Sequence, residues 1–164
     1  MEKFKNEAEI KRWLASRLKV ITEVIVDEIV KMNSKEVQKI VYDAYNPQFY
    51  QRTNEGENFK SAWGKQKISI DYEKGKAEGE FGYQPEKLSV SKLAFQHGSN
   101  YQDYDVRPHL AEIIYDGLSG PLFGYGPWCK KRDAWEKLME HITKDQMRKW
   151  IKEGARKAGL KIEF

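Results

Sequence analysis

Residues 65–83 read KQKISIDYEKGKAEGEFGY, and this stretch decides the fold class. The run KQKISIDY alternates, setting Ile68, Ile70 and Tyr72 on one side, and AEGEFGY sets Ala77, Gly79, Phe81 and Tyr83 on one side. Successive side chains of a strand point to opposite faces, so two alternating runs around Glu73-Lys74-Gly75-Lys76 predict a β-hairpin over about 66–83. The other strongly periodic stretches have helical spacing. The chain therefore reads as α+β, with a long N-terminal helix and C-terminal helices packed on a small antiparallel sheet.

On the N-terminal side, Ile10, Trp13, Leu14, Leu18, Ile21, Val24, Ile25, Ile29 and Met32 recur at three- and four-residue steps, the mark of a long amphipathic helix. Asn6 is positioned to cap it, and Glu7 and Glu9 suit the positive end of the helix dipole. Asn33-Ser34 interrupts the pattern, and Val37, Ile40 and Val41 resume it, so the helical region extends over about 7–45 as one bent helix or two. Asn46-Pro47 ends it, because proline disfavours the helical conformation of the residue before it. Residues 46–64, NPQFYQRTNEGENFKSAWG, mix polar and aromatic residues without a period and read as an ordered loop.

On the C-terminal side, Pro85 closes the hairpin, and SVSKLAFQ (89–96) has the composition of a short third strand. Pro108 and Gly117 fit the first turn and the end of a short helix over 108–117. GLSGPLFGYGPW holds four glycines and two prolines and reads as an aromatic loop over 118–128. Two helices fill 132–158. Trp135, Leu138, Met139 and Ile142 line the first, Thr143-Lys144-Asp145-Gln146 has the spacing of a capping box, and Met147, Trp150, Ile151, Ala155 and Ala158 line the second. Gly159 stops it, leaving LKIEF as a strand or a tail. With no internal repeat, residues 1–164 are expected to form one domain.

Of 164 residues, 40% are hydrophobic and 33% charged, and 21 are Phe, Trp or Tyr, too many for a disordered chain. The single cysteine, Cys129, excludes an internal disulfide and fits a reducing compartment. There is no leader-like apolar run near the N-terminus and no stretch approaching a membrane span, so the sequence predicts a soluble, unprocessed chain with no membrane partner. The net charge of +4 is unevenly spread: residues 130–164 hold eleven Lys or Arg against six Asp or Glu, while the remaining 129 hold eighteen against nineteen. Within the basic segment, Arg148, Lys149, Lys152 and Arg156 fall at helical spacing as one stripe. It reads either as a solvated helix face or as a patch for an anionic partner, nucleic acid or acidic protein.

No catalytic constellation emerges. His97, His109 and His141 share no metal-binding spacing, no local signature pairs Cys129 with any of them, and Gly120–Gly126 lacks the GK[ST] ending of a phosphate loop. Asp103, Asp105 and Asp116 match no metal-binding pattern, and a nuclease or hydrolase would need His97 or His109 beside Asp103 or Asp105. We therefore expect no catalytic residue, no metal and no cofactor. The aromatic residues Tyr42, Tyr45, Phe49 and Tyr50 around Arg52 suit either loop packing or a partner interface. Their near-neutral surroundings favour protein over nucleic acid.

The stretch Val41-Tyr42-Asp43-Ala44-Tyr45-Asn46-Pro47-Gln48-Phe49-Tyr50-Gln51-Arg52-Thr53, following a long helix and preceding a hairpin, resembles small virion proteins of tailed bacteriophages. Their N-terminal helix runs into a Y-x-P-x-x-Y-x-R-T segment. Ile113-Ile114-Tyr115-Asp116-Gly117, then Pro127-Trp128 and Arg132-Asp133-Ala134-Trp135, is similar to their second half. The resemblance implies a neck or tail-completion protein with an α+β fold and no enzymatic activity. It would assemble with copies of itself as a ring, against neighbouring neck or tail proteins and with DNA passing through the lumen, and would reside in the virion and, during assembly, the host cytoplasm. It also implies an ordering or subunit-contact role for Tyr45, Pro47, Tyr50, Arg52 and Thr53. The aromatic loop adds Phe123, Tyr125 and Trp128 as interface candidates. The alternative is a small nucleic-acid-binding protein that uses the basic C-terminal helix.

Overall fold

Asn6 begins the first element as its spacing predicts: its side-chain oxygen accepts from the Glu9 N–H at 2.9 Å, and helix α1 runs from Glu7 to Val37. At 1.5 Å per residue it is about 46 Å long. A computed structural model describes residues 4–44, 58–88, 107–117 and 130–163, and every structural statement below concerns these. Asn33-Ser34 does not break α1, because Asn33 is fully buried and packing overrides its weak helix propensity. The helix loosens instead at Gln38–Tyr42 into a π-helical turn, closed by the Asp43 N–H donating to the Gln38 carbonyl at 2.8 Å.

The hairpin comprises β1, Trp63–Asp71, and β2, Lys76–Tyr83, paired antiparallel. With α1 and the C-terminal helices it gives an α+β fold. Two boundaries differ from expectation. Strand β1 takes in Trp63 and Gly64, which the sequence reading places in the preceding loop, because a tight turn at Asn58–Ala62 leads directly into it. The hairpin turn also falls one residue early. Asp71 accepts from the N–H groups of Glu73 and Lys74 at 3.0 and 2.9 Å, which curls the chain at once and leaves Tyr72 half exposed in the turn rather than on the strand. Gly75, with φ of 63°, supplies the left-handed residue.

Residues 107–117 are helical throughout: a 3₁₀ turn at Arg107–His109, the short α2 at Leu110–Glu112, and a π turn at Ile113–Gly117. Helix α3, Ala134–His141, is capped by Asp133, which accepts from the Glu136 N–H at 2.8 Å. Helix α4, Lys144–Lys157, is capped by Thr143, whose hydroxyl accepts from the Gln146 N–H at 3.2 Å. Gly159, φ 75°, ends α4, and the Leu160 N–H returns to the Ala155 carbonyl at 2.8 Å. Residues 160–163 form no strand. Leu160 and Ile162 pack against the core as a tail. The candidate third strand at 89–96 lies outside the described residues.

Contacts group the chain into two compact units, Met1–Lys31 with Lys65–Gly82 and His141–Phe164, and Met32–Gly64 with Tyr83–Glu140. In the first unit, α1 packs against α4 through Ile21, Ala155 and Ala158, joined by Leu18, Ile25 and Ile151. The hairpin meets a neighbouring face of α1, where a Cβ on Gly79 would lie 2.6 Å from a Val26 methyl and 2.8 Å from the Thr22 methyl. The second unit is centred on Val37, Val41, Phe59, Ala62, Leu88, Ile114 and Ala134.

Candidate functional site

Five aromatic side chains from different segments meet in the second unit. Phe59 comes from the turn before β1, Trp63 from the start of β1, Tyr83 from the end of β2, Tyr115 from the π turn and Trp135 from the first turn of α3. Trp63 is the hub. Tyr115 stacks on it at 5.6 Å with 17° between planes, and Trp135 stacks at 6.3 Å with 21°. Phe59 meets Trp63 and Tyr115 edge-on, and Tyr83 tilts against Trp63 at 5.4 Å. Offset stacking and edge-to-face contact are the arrangements that ring quadrupoles favour. The Tyr83 hydroxyl donates to the Arg107 carbonyl at 2.7 Å, and the Arg132 N–H donates to the Ile114 carbonyl at 3.2 Å, tying the 107–117 helical stretch to the hairpin and to the entry of α3. The Tyr115 hydroxyl is buried without a hydrogen-bond partner among the described residues. Burial, with the Asp133 carboxylate nearby, pushes its pKa well above the usual tyrosine range.

The outer end of this arrangement is open. Trp135 is 40% exposed and Met139, one turn later on α3, is 54% exposed. Their spacing predicts both on the apolar side of their helix. Of that expected side Leu138 is buried, but its companion is Ala134, which enters the core beside Val37 and Ile114 and turns Trp135 and Met139 outward. A tryptophan and a methionine side by side on a helix surface form the kind of patch from which protein interfaces are built. The first unit has its own apolar patch, where Ile10 (46% exposed) and Leu14 stand one turn apart on α1 near Phe4, which packs edge-on against Trp13 at 5.4 Å.

The basic stripe is present on α4. Trp150, Gly154 and Ala155 are buried, while Arg148, Lys149, Lys152 and Arg156 are exposed on the opposite side. Along α4, beyond its first residue Lys144, five Lys or Arg stand against two acids, Asp145 and Glu153. Asp145 approaches Arg148 at 3.4 Å, and Lys157 at 3.0 Å holds Glu153 below the usual carboxylate range. The wider basic cluster of the sequence is not one surface. Arg132 is buried in the second unit, and Lys131 pairs with Asp133 and Glu136 at 3.3 and 3.7 Å.

Tyr45, Pro47, Tyr50, Arg52, Thr53, Phe123, Tyr125 and Trp128 lie outside the described residues, as do His97, Asp103, Asp105 and Cys129. Among the described residues no group of His, Cys, Asp or Glu is arranged to hold a metal ion, and no helix is long and apolar enough to cross a membrane. The Trp63 cluster escaped sequence reasoning. Its signal was the presence of aromatic residues at both ends of the hairpin, far from the turn, where the two strands bring them to the same end. The chain matches no protein-family model, and no curated protein or solved structure is significantly similar to it.

Proposed function

We propose that this chain is a non-enzymatic structural subunit of a tailed-bacteriophage particle, assembling with copies of itself into a ring in the neck or at the upper end of the tail. One observation supports the reading beyond the sequence resemblance. The described parts of its two separate stretches, Val41-Tyr42 in the first and Ile113–Gly117 with Arg132–Trp135 in the second, share one core. Val41, Ile114 and Ala134 are buried together, with Tyr42 and Tyr115 packed against them. The two stretches that carry the resemblance thus belong to one core, as parts of a single kind of subunit would.

Ring formation requires each subunit to present two unlike faces, since the contact that closes a ring by rotation is heterologous. The Trp135–Met139 patch and the Ile10–Leu14 patch supply two such apolar surfaces, one in each unit. Quantitative mass spectrometry of purified particles should find a fixed multiple of this chain per particle, and particles assembled in its absence should accumulate unjoined heads and tails. Purified, infectious particles containing none of it would overturn the proposal.

A further inference from the structure

We infer that the outer face of α4 is a docking surface for the phosphate backbone of a nucleic-acid duplex, independent of base sequence. Arg148, Lys152 and Arg156 follow one another at four-residue steps, about 6 Å of rise each, with Lys149 beside them, so the cations form a continuous strip along one side of a rigid helix. Cations far outnumber the two carboxylates on that helix, Asp145 and Glu153. The long described segments are close to neutral by comparison: residues 4–44 hold eight Lys or Arg against seven acids, and residues 58–88 hold six against five. A strip this basic favours a partner that carries dense negative charge of its own.

The apolar residues decide which polyanion fits. Protein interfaces are anchored by exposed aromatic or apolar side chains, and those of α4 are committed elsewhere. Trp150 and Ala155 are buried, and Gly154 lies against the backbone of α1 at Ile21. The same commitment deprives the helix of an apolar face for insertion into a membrane surface. Single-stranded nucleic acid is held by stacking bases on aromatic rings, and the exposed strip has none. Long, flexible cations without anchors match a duplex, whose phosphates attract them without any base contact. The backbone chemistry is shared by DNA and RNA. This inference stands on α4 alone, and its failure would leave the ring proposal untouched.

The test is fluorescence anisotropy of the intact chain with a labelled mixed-sequence DNA duplex of about three helical turns, titrated between about 50 and 200 mM salt. Four phosphate contacts predict that log K falls with log salt at a slope of about −3.6. Replacing all four residues (Arg148→Gln, Lys149→Gln, Lys152→Gln, Arg156→Gln) should weaken binding roughly tenfold or more at the low-salt end, and each single replacement should lower the slope by about 0.9. A control with the same loss of charge elsewhere, Lys5→Gln, Lys11→Gln, Lys67→Gln and Lys74→Gln, should retain binding. An RNA duplex of equal length identifies the source by which duplex binds more tightly, and binding of either supports the site. A flat salt response, an equal loss in the control, or tighter binding to single strands, polyglutamate or phosphatidylserine vesicles would overturn it.

Discussion

Gly154 of α4 lies so close to Ile21 of α1 that a Cβ placed on it would sit 2.8 Å from the Ile21 Cα. The obstruction is backbone, so no rotamer change relieves it. In an open helix, Gly→Ala gains about 1 kcal/mol of helix propensity. Here the overpacking cost of about 1–3 kcal/mol outweighs it. Gly154→Ala should lower the thermal midpoint by several degrees, and circular dichroism of the two proteins side by side would reveal the opposite shift if the helices were free to separate.

Asn33 is fully buried on α1, and both polar atoms of its side chain lack a hydrogen-bond partner among the described residues. An unsatisfied buried amide costs about 1–3 kcal/mol. Asn33→Leu keeps the branching at Cγ and removes the polar atoms, so denaturant unfolding should move to higher concentration by about 1 kcal/mol. Asn33→Asp should do the reverse. Burial raises the folded carboxyl above its unfolded value, so the added instability should be full at neutral pH and should fade as the pH falls toward about 4. If Asn33→Asp leaves the protein as stable as the parent at neutral pH, water reaches the site.

Two tyrosines in one aromatic cluster should answer differently to loss of the hydroxyl. Tyr83 donates to the Arg107 carbonyl, so Tyr83→Phe should cost about 1 kcal/mol. Tyr115 has no acceptor among the described residues, so Tyr115→Phe should be neutral or mildly stabilising at neutral pH. The sign with pH follows from the raised folded pKa of Tyr115. Above about pH 10 the unfolded chain releases this proton and the folded chain keeps it, so stability is full below that pH and falls as pH rises. Tyr115→Phe should remove this residue's share of the alkaline loss, about 1.4 kcal/mol per pH unit. Urea midpoints measured between about pH 9 and 11 would check it, and an unchanged slope would mean that the ring is not held dry.

Thr143 caps α4 through its hydroxyl. Thr143→Ala should cost about 1 kcal/mol, while Thr143→Ser should retain most of the cap. If the α4 amides of Lys144–Met147 exchange with solvent equally fast in the parent and the Ala variant, the hydroxyl contributes nothing to the first turn.

How far the sequence led depends on where the signal was local. The hairpin, the Asn6 and Thr143 caps and the stop at Gly159 each rest on a few adjacent residues whose chemistry is self-contained, and each is present, the hairpin with its start and its turn shifted. The exposed basic strip on α4 was legible for the same reason, since its period alone fixes a common face. Long-range packing was not legible. Asn33 reads as an interruption because its propensity is poor, yet α1 passes through it under tertiary contacts. Trp135 and Met139 fit the apolar stripe of α3 as well as Ala134 and Leu138 do, and only the company of Val37 and Ile114 decides which pair turns inward. The aromatic hub at Trp63 draws on residues up to 76 positions apart, from Phe59 to Trp135, and no window along the chain contains it.

Gly79 stands between Glu78 and Glu80, at the point where the hairpin touches the methyl groups of Thr22 and Val26. A slip of one residue along β2 would turn a glutamate toward those methyls, placing a carboxylate among groups that cannot solvate it. The correct alignment is thus admitted by a missing side chain, and both adjacent misalignments are refused by charge. Three consecutive residues, Glu-Gly-Glu, set the register of strand docking by what they exclude, while Glu78 keeps its ion pair with Lys76 on the outer side.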